Sequence, residues 1–391
     1  MSGVTGEPAS QPPVAYVHIP FCSAVCPYCD FAVVAGRDDL AKRYISALVT
    51  EIEMSPSWSP LHAIYFGGGT PSHLDPGLLG VVLDALSRRH GIAEGAEISL
   101  EANPEGFDLH KARQVREIGF NRVSFGAQSF DPEVLAGLGR RHGPEDIRVS
   151  VGHAREAGFE NVSLDLIFGT PGETDRSWES TLTEAIVVEP DHMSCYSLTV
   201  ERGTALHRSV TAGAPGPDPD IQADRYETAD RALESSGLAR YEVSNWARPG
   251  MTCRYNLTVW AQGEYEAYGN GAHRFRHSVR SHNVRRIDAY LDRVESGVRP
   301  TSGEELVEGW DRELDRLFVG LRTTRGVATG PGTTALLTAP EGEVLLREKV
   351  IEVADGRMSV IRPLLTDEVL RAVLGLPAPT GAWKATDLNN V

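Results

Sequence analysis

The chain predicts an α/β fold: a largely parallel sheet, open or curled into a barrel, followed by a smaller unit of helices and a hairpin. Three observations carry this. Short apolar strands alternate with helical stretches from Ala15 to about Ala247. Glycine stands where helices stop and the chain turns back, at Gly91, Gly119, Gly158 and Gly237. Three successive strands carry an apolar face opposite a small, polar one.

The elements follow in order. Residues 1–13, rich in Ser, Gly and Pro with no apolar signal core, read as a flexible tail. Strands are expected at 15–20, 62–67, 97–102, 122–128, 161–167, 192–199 and 239–244. Helices are expected at 38–54, 75–90, 108–118, 144–157, 174–188 and 222–236. The stretch 211–220, with Pro215, Pro217 and Pro219, reads as a surface loop. The parallel domain thus spans 14–247. Residues 248–285 are rich in Gly, aromatics and Asn and read as an irregular segment. A C-terminal domain at 286–391 would hold helices at 286–296 and 303–321, a hairpin at 350–361 turning at Asp355-Gly356, and a closing helix from Thr366 to Leu374. Helices plus a hairpin suggest a winged-helix-like shape, without a case for DNA binding in so acidic a chain.

Length and composition bound the function. The 391 residues allow two or three domains and a large core. Hydrophobic content of 41% and charged content of 24% are ordinary for a soluble globular protein. A net charge of −16 argues against a nucleic-acid binder and against adhesion to anionic lipid. No apolar run approaches the ~20 residues that span a bilayer. Five cysteines, an odd count, do not suggest a disulfide framework, so the expected place is the reducing cytoplasm.

The chemistry begins at Cys22-Ser-Ala-Val-Cys26-Pro-Tyr-Cys29-Asp30-Phe31. Three thiolates on one loop can hold three corners of a cubane iron–sulfur cluster and leave the fourth iron open to a small molecule. Structural zinc is the competing reading, but it wants four ligands in paired half-sites, and the loop has no His. Cys195 and Cys253 lie far away and read as core or structural residues. The polar strand faces add a destination. Ser99 and Glu101, Ser124, Gly126 and Gln128, and Ser163 and Asp165 fall in phase on one face, and Glu101, Gln128 and Asp165 lie near the C-terminal strand ends, where such folds bind ligands. Hydrogen bonds that tie adjacent loops are the alternative for any one of them.

Several motifs occur together and in order. They are Tyr16-Val-His-Ile-Pro-Phe-Cys22, the cysteine triplet with Asp30-Phe31, Gly67-Gly-Gly-Thr-Pro71 and Glu101-Ala-Asn-Pro104. Gly126-Ala-Gln-Ser129, Asp165-Leu-Ile-Phe-Gly-Thr-Pro-Gly-Glu173 and Tyr241-Glu-Val-Ser-Asn245 complete the set. From Tyr16 to about Leu374 the chain resembles the radical S-adenosylmethionine (SAM) superfamily, in its coproporphyrinogen-dehydrogenase-like branch, and within it the heme chaperones. The resemblance implies a partial (β/α) barrel of the radical SAM type. A 4Fe–4S cluster would sit on Cys22, Cys26 and Cys29, with SAM among Tyr16, Tyr28, Gly68, Gly69, Thr70, Glu101, Gln128, Arg140 and Asp165. Gln128, Arg140 and Asp165 match positions around a second SAM pocket in the oxidase branch. Three plain readings stand beside these: a tight turn for the glycine run, a core tyrosine for Tyr16 and a solvated helix-end charge for Arg140.

Two departures bear on function. Coproporphyrinogen dehydrogenases carry a further Cys where this chain has Phe31, whereas the chaperone branch carries the same Cys-Asp-Phe. Chaperone members typically have His-Asn-x-x-Tyr-Trp after an Arg, a motif tied to heme; here the run is Arg254-Tyr255-Asn256-Leu257-Thr258-Val259-Trp260. Tyr255 and the downstream His273 are the candidate heme ligands, since phenolate and imidazole both bind heme iron; a loop-anchoring hydrogen bond is the other reading of His273. The resemblance implies a heme chaperone that serves acceptor hemoproteins, some membrane-bound, with an electron donor. The alternatives are a radical SAM enzyme of the coproporphyrinogen dehydrogenase or methylase/cyclopropanase type, and a relic that keeps the cluster for stability.

Overall fold

A computed structural model describes residues 11–378, so most of the expected tail 1–13 and the end of the expected C-terminal domain lie outside the described residues. Six strands succeed one another as expected: β1 (Val14–Ile19), β2 (Leu61–Gly68), β3 (Ile92–Ala102), β4 (Arg122–Gln128), β5 (Asn161–Phe168) and β6 (His192–Ser197). They pair in parallel and in sequence order. Each pair is crossed by a helix: α1 (Ala41–Met54), α2 (Pro76–His90), α3 (Leu109–Ile118), α4 (Pro144–Glu156) and α5 (Asp175–Val187). Helix starts have local causes. Asp75 and Asp108 cap α2 and α3 with side-chain acceptors, and Thr174 does the same for α5. Gly119, at φ 118°, ends α3.

The predicted two-faced strands are there. Ile98, Leu100, Val123, Phe125, Val162 and Leu164 face the helices and join one large core. Ser99, Ser124 and Ser163 are buried on the opposite face. The sheet winds in one direction without closing, which makes a partial barrel whose inner face is polar.

The segment expected to be irregular is not. Residues 248–285 hold α7 (Arg254–Trp260) and three strands, β9 (Tyr265–Tyr268), β10 (His273–Arg276) and β11 (Val279–Asn283). β9 pairs in parallel with β1, Val14 opposite Tyr265, and β10 and β11 extend that edge antiparallel. The reason is tertiary: the β1 edge offers a ladder that no local pattern announces. The expected helix 303–321 also divides, into edge strand β12 (Thr301–Leu306) on β11 and a helix at Gly309–Gly320, named α9 below. At the other edge, after α6 (Pro219–Ser235), the expected strand 239–244 is a hairpin of β7 (Ala239–Glu242) and β8 (Asn245–Ala247), with β8 antiparallel on β6. The twelve-stranded sheet therefore has a parallel centre and antiparallel margins.

Helix α8 (Ile287–Glu295), assigned by sequence to the C-terminal domain, packs its Ile287, Tyr290, Leu291 and Val294 into the barrel core. The second core gathers only from Trp310 onward, on Leu317, Leu336, Met358, Val369 and Val373. It comprises α9 (Gly309–Gly320), α10 (Pro331–Thr338), α11 (Pro340–Arg347), a three-stranded sheet and the expected closing helix Thr366–Leu374. The expected hairpin is present, with Asp355 and Gly356 both at positive φ as a tight primed turn requires.

Candidate active site: a polar cavity beside a cysteine loop

The site is a cavity of about 620 Å³ at the C-terminal ends of the parallel strands. One wall is the loop that leaves β1. Cys22, Cys26 and Cys29 line it, all half-buried and free of disulfides, with Tyr28 between them. A backbone turn from Cys29 N–H to Cys26 O (3.1 Å) shapes the loop, and the Phe21–Cys22 and Val34–Ala35 strand pair closes its base. Thr70 Oγ1 points its hydroxyl at Cys22 Sγ (3.8 Å). Arg140 Nη1 donates to Cys26 Sγ (3.3 Å), and its Nη2 donates to Asn103 Oδ1 (2.5 Å) and Gly126 O (3.1 Å). Arg140 is thus a fixed part of the cavity wall and not a solvated helix-end charge. Burial pushes the Cys22 thiol up to about 11 and raises that of Cys29, so metal must displace their protons.

The glycine run supplies close approach. A Cβ on Gly69 would stand 2.8 Å from Phe21 O and 2.9 Å from Cys22 Sγ, so only glycine lets the end of β2 abut the cysteine loop. Gly68, at φ 108°, lies against the His18 ring, and its N–H donates to Glu101 Oε2 (3.0 Å).

Glu101 and Asp165 face the cavity from β3 and β5. Glu101 Oε1 accepts from the Tyr65 hydroxyl (3.0 Å), and Ser124 Oγ sits 3.1 Å from both Asp165 oxygens. Burial, and then the neighbouring Asp165, push the Glu101 carboxyl up to about 7; burial also raises Asp165. Two carboxyls held this way suit a cationic, hydroxyl-bearing ligand. Gln128 sits at a bulge in β4 at φ 64°, an unusual conformation for a non-glycine residue, and its side chain lines the cavity.

Cys22, Cys26, Cys29, Tyr28, Gly68, Gly69, Thr70, Glu101, Gln128, Arg140 and Asp165 therefore share one cavity. Tyr16, Tyr255 and His273 do not line it. Tyr16 stacks on Tyr65 (6.3 Å between centroids) behind the Glu101 wall, as a packing tyrosine would. Tyr255, on α7, packs against Tyr16 and Tyr65 at 6.0 and 5.6 Å. His273 is exposed on β10. Cys195 and Cys253 are buried, as expected of core thiols. The residue reading missed Tyr65, Asn103, Tyr196 and Ser244 as lining residues. Tyr65 was accessible to it, being two residues before Gly67 in the same strand phase. Asn103 and Ser244 stood inside motifs already picked out.

Residues 16–185 match the Radical SAM superfamily. Heme chaperone HemW of Mycobacterium tuberculosis is 36% identical over 379 residues, which is 93% of this chain and 95% of that protein. The chain belongs to the HemW family of radical SAM proteins. HemW of Bacillus subtilis is 35% identical over 80% of this chain and 84% of its own length. Among solved structures, the radical SAM enzyme coproporphyrinogen III oxidase (HemN) from Escherichia coli superposes with a TM-score of 0.80 at 23% identity. The match covers 93% of this chain and 90% of that one. It establishes the fold, a radical SAM partial barrel with a C-terminal unit.

The superfamily implies a 4Fe–4S cluster and SAM, and the residues fit both. Three free thiols share a wall with a guanidinium and a hydroxyl aimed at their sulfurs. Three thiolates are the ligand set of a cube that leaves its fourth iron open.

Proposed function

We propose that this protein is a heme chaperone that binds heme and delivers it to acceptor hemoproteins, some of them membrane-bound, using a cluster and SAM held in the barrel. The observation that carries the reading is the end-to-end likeness to proteins named heme chaperone HemW, across both cores and not the barrel alone. Phe31 in place of a fourth cysteine agrees with it.

Cys22, Cys26 and Cys29 hold the cluster, and Arg140 offsets negative charge at Cys26. Glu101 and Asp165 accept the ammonium and hydroxyl groups of SAM, and Gln128 and Thr70 complete the wall. Tyr28, Ile167 and Leu198 keep one side of the cavity dry. When bound, the cluster supplies an electron from an external donor and SAM supplies the sulfonium that receives it. The intact carboxyl pair is the observation that favours a second reading, a radical SAM enzyme acting on a porphyrinogen or a methyl acceptor.

One experiment separates them. Hemin is added to anaerobically reconstituted protein, the complex is desalted and then mixed with an apo-hemoprotein. Retention followed by transfer is expected. In parallel, reduced protein is given SAM and coproporphyrinogen and assayed for 5′-deoxyadenosine. Porphyrinogen-dependent turnover without heme retention would overturn the chaperone reading in favour of the enzyme.

A further inference from the structure

The motif histidine is replaced in this chain, and the tyrosine that took its place is half-buried in an aromatic cluster. Tyr255 is hemmed in by Tyr16, Tyr65 and Tyr265, with ring centroids 5.6 to 6.1 Å away. An iron porphyrin needs an imidazole or phenolate on an open surface, a flat apolar partner and a cation for its propionates.

Those three chemistries lie on segments that meet at the exit of the cysteine loop. His273 on β10 and His282 on β11 are direct cross-strand partners, their rings 5.2 Å apart and 23° from parallel. His273 is exposed and His282 half-buried, and no hydrogen bond among the described residues holds either ring. Gly303 on β12 lies opposite His282, where a Cβ would come within 2.5 Å of the ring. Glycine there leaves the His282 ring its place beside His273.

The pair is tied to the cluster side of the molecule. Asn270 Nδ2 donates to Ala32 O (3.1 Å) and to Arg285 O (2.8 Å), and Arg285 donates to Asp30 O. Between Asp30 and Ala32, Phe31 is 66% exposed, which leaves its ring free to pack on a flat apolar partner. Burial, the His282 ring and the Arg280 and Arg285 charges all favour a neutral His273, the form that ligates iron. The same two guanidiniums would repel a bare divalent cation, and no third ligand is grouped with the pair among the described residues.

We propose that His273 is the axial ligand of the heme iron, with His282 stacked behind it, Phe31 against the porphyrin and Arg285 on a propionate. The assignment rests on the heme-chaperone reading and gives it a place: heme sits on the rim, next to the cluster loop and outside the SAM cavity.

The test is hemin titration of the cluster-loaded protein, followed by Soret difference spectra and ferric-heme electron paramagnetic resonance. His273→Ala is expected to lose the Soret shift and bind at least about tenfold more weakly. In His273→Gly, free imidazole is expected to restore the band, which a merely structural role would not allow. Tyr255→Phe is expected to keep the wild-type heme spectrum. Iron and sulfide content of each variant reports that the fold is intact. Wild-type spectra and affinity in both His273 variants would overturn the assignment alone. Failure of the wild-type chain itself to hold heme would overturn both the assignment and the chaperone reading.

Discussion

Glu101 illustrates how one side chain ties burial to ligand choice. Its carboxyl titrates near 7 because it is buried and faces Asp165, despite bonds from Tyr65 and Gly68. A cationic ligand prefers the ionised form, so SAM affinity should climb from about pH 6 to about pH 8 and binding should release protons. Calorimetry in two buffers of different ionisation enthalpy measures that release; a flat profile would count against the role. Glu101→Gln should flatten the profile and weaken binding by about 1.5–3 kcal/mol, the worth of hydrogen bonds to a charged group. Gly69 makes the steric counterpart. Gly69→Ala drives a methyl into Phe21 O and Cys22 Sγ, an overpacking cost of about 1–3 kcal/mol. Iron and acid-labile sulfide per chain should fall in that variant while far-ultraviolet dichroism stays unchanged.

Between elements, a buried polar knot joins α1 to the antiparallel margin. Glu51 on α1 accepts from Gly269 N–H (2.8 Å), Asn283 Nδ2 (2.7 Å) and the Tyr290 hydroxyl (2.8 Å). None of these partners is a cation, and burial outweighs them, pushing its carboxyl up to about 7. The folded value exceeds the ordinary one, so the contribution of Glu51 to stability is fully present below about pH 4.5 and is lost as pH rises through about 7. Urea unfolding between about pH 5 and pH 8 should show that loss, and Glu51→Gln should remove this part of the slope. The strands this knot secures are the ones that sequence patterning left irregular. Tyr265–Tyr268 and His273–Arg276 are too short and too aromatic to show a two-residue alternation, and Thr301–Leu306 carries two glutamates that read as helix. The parallel strands were legible because each has four or more alternating positions, as in Val123, Phe125 and Ala127 against Ser124, Gly126 and Gln128.

Across the described residues, the two large hydrophobic cores divide between Val294 and Trp310. They are joined at the barrel's antiparallel edge, where Val243 N–H donates to Arg322 O (3.0 Å) and Thr324 N–H to Tyr241 O (3.0 Å). Leu317 is fully buried in the second core. Leu317→Ala should cost about 2–5 kcal/mol there and lower the melting temperature. The cluster absorbance and iron content should survive, because no residue of the second core lines the cavity. Loss of the cluster in that variant would show that the two cores unfold as one unit. Among the described residues no helix is long and apolar enough to cross a membrane.

Reading residues alone was enough for the cysteine loop, the polar inner face and the order of the parallel strands. Each is written in short-range spacing: thiols four and three residues apart, and side chains that alternate along one strand. Only the folded chain put Arg140 on Cys26, packed Tyr255 among three other tyrosine rings, and carried β9 to β12 onto the free edge of β1. Those outcomes depend on partners far away in the chain, such as Arg285 and Asp30, which lie 255 residues apart. A backbone edge accepts a strand through hydrogen bonds that are blind to side-chain identity, so the local pattern carries no mark of which segment will fill it.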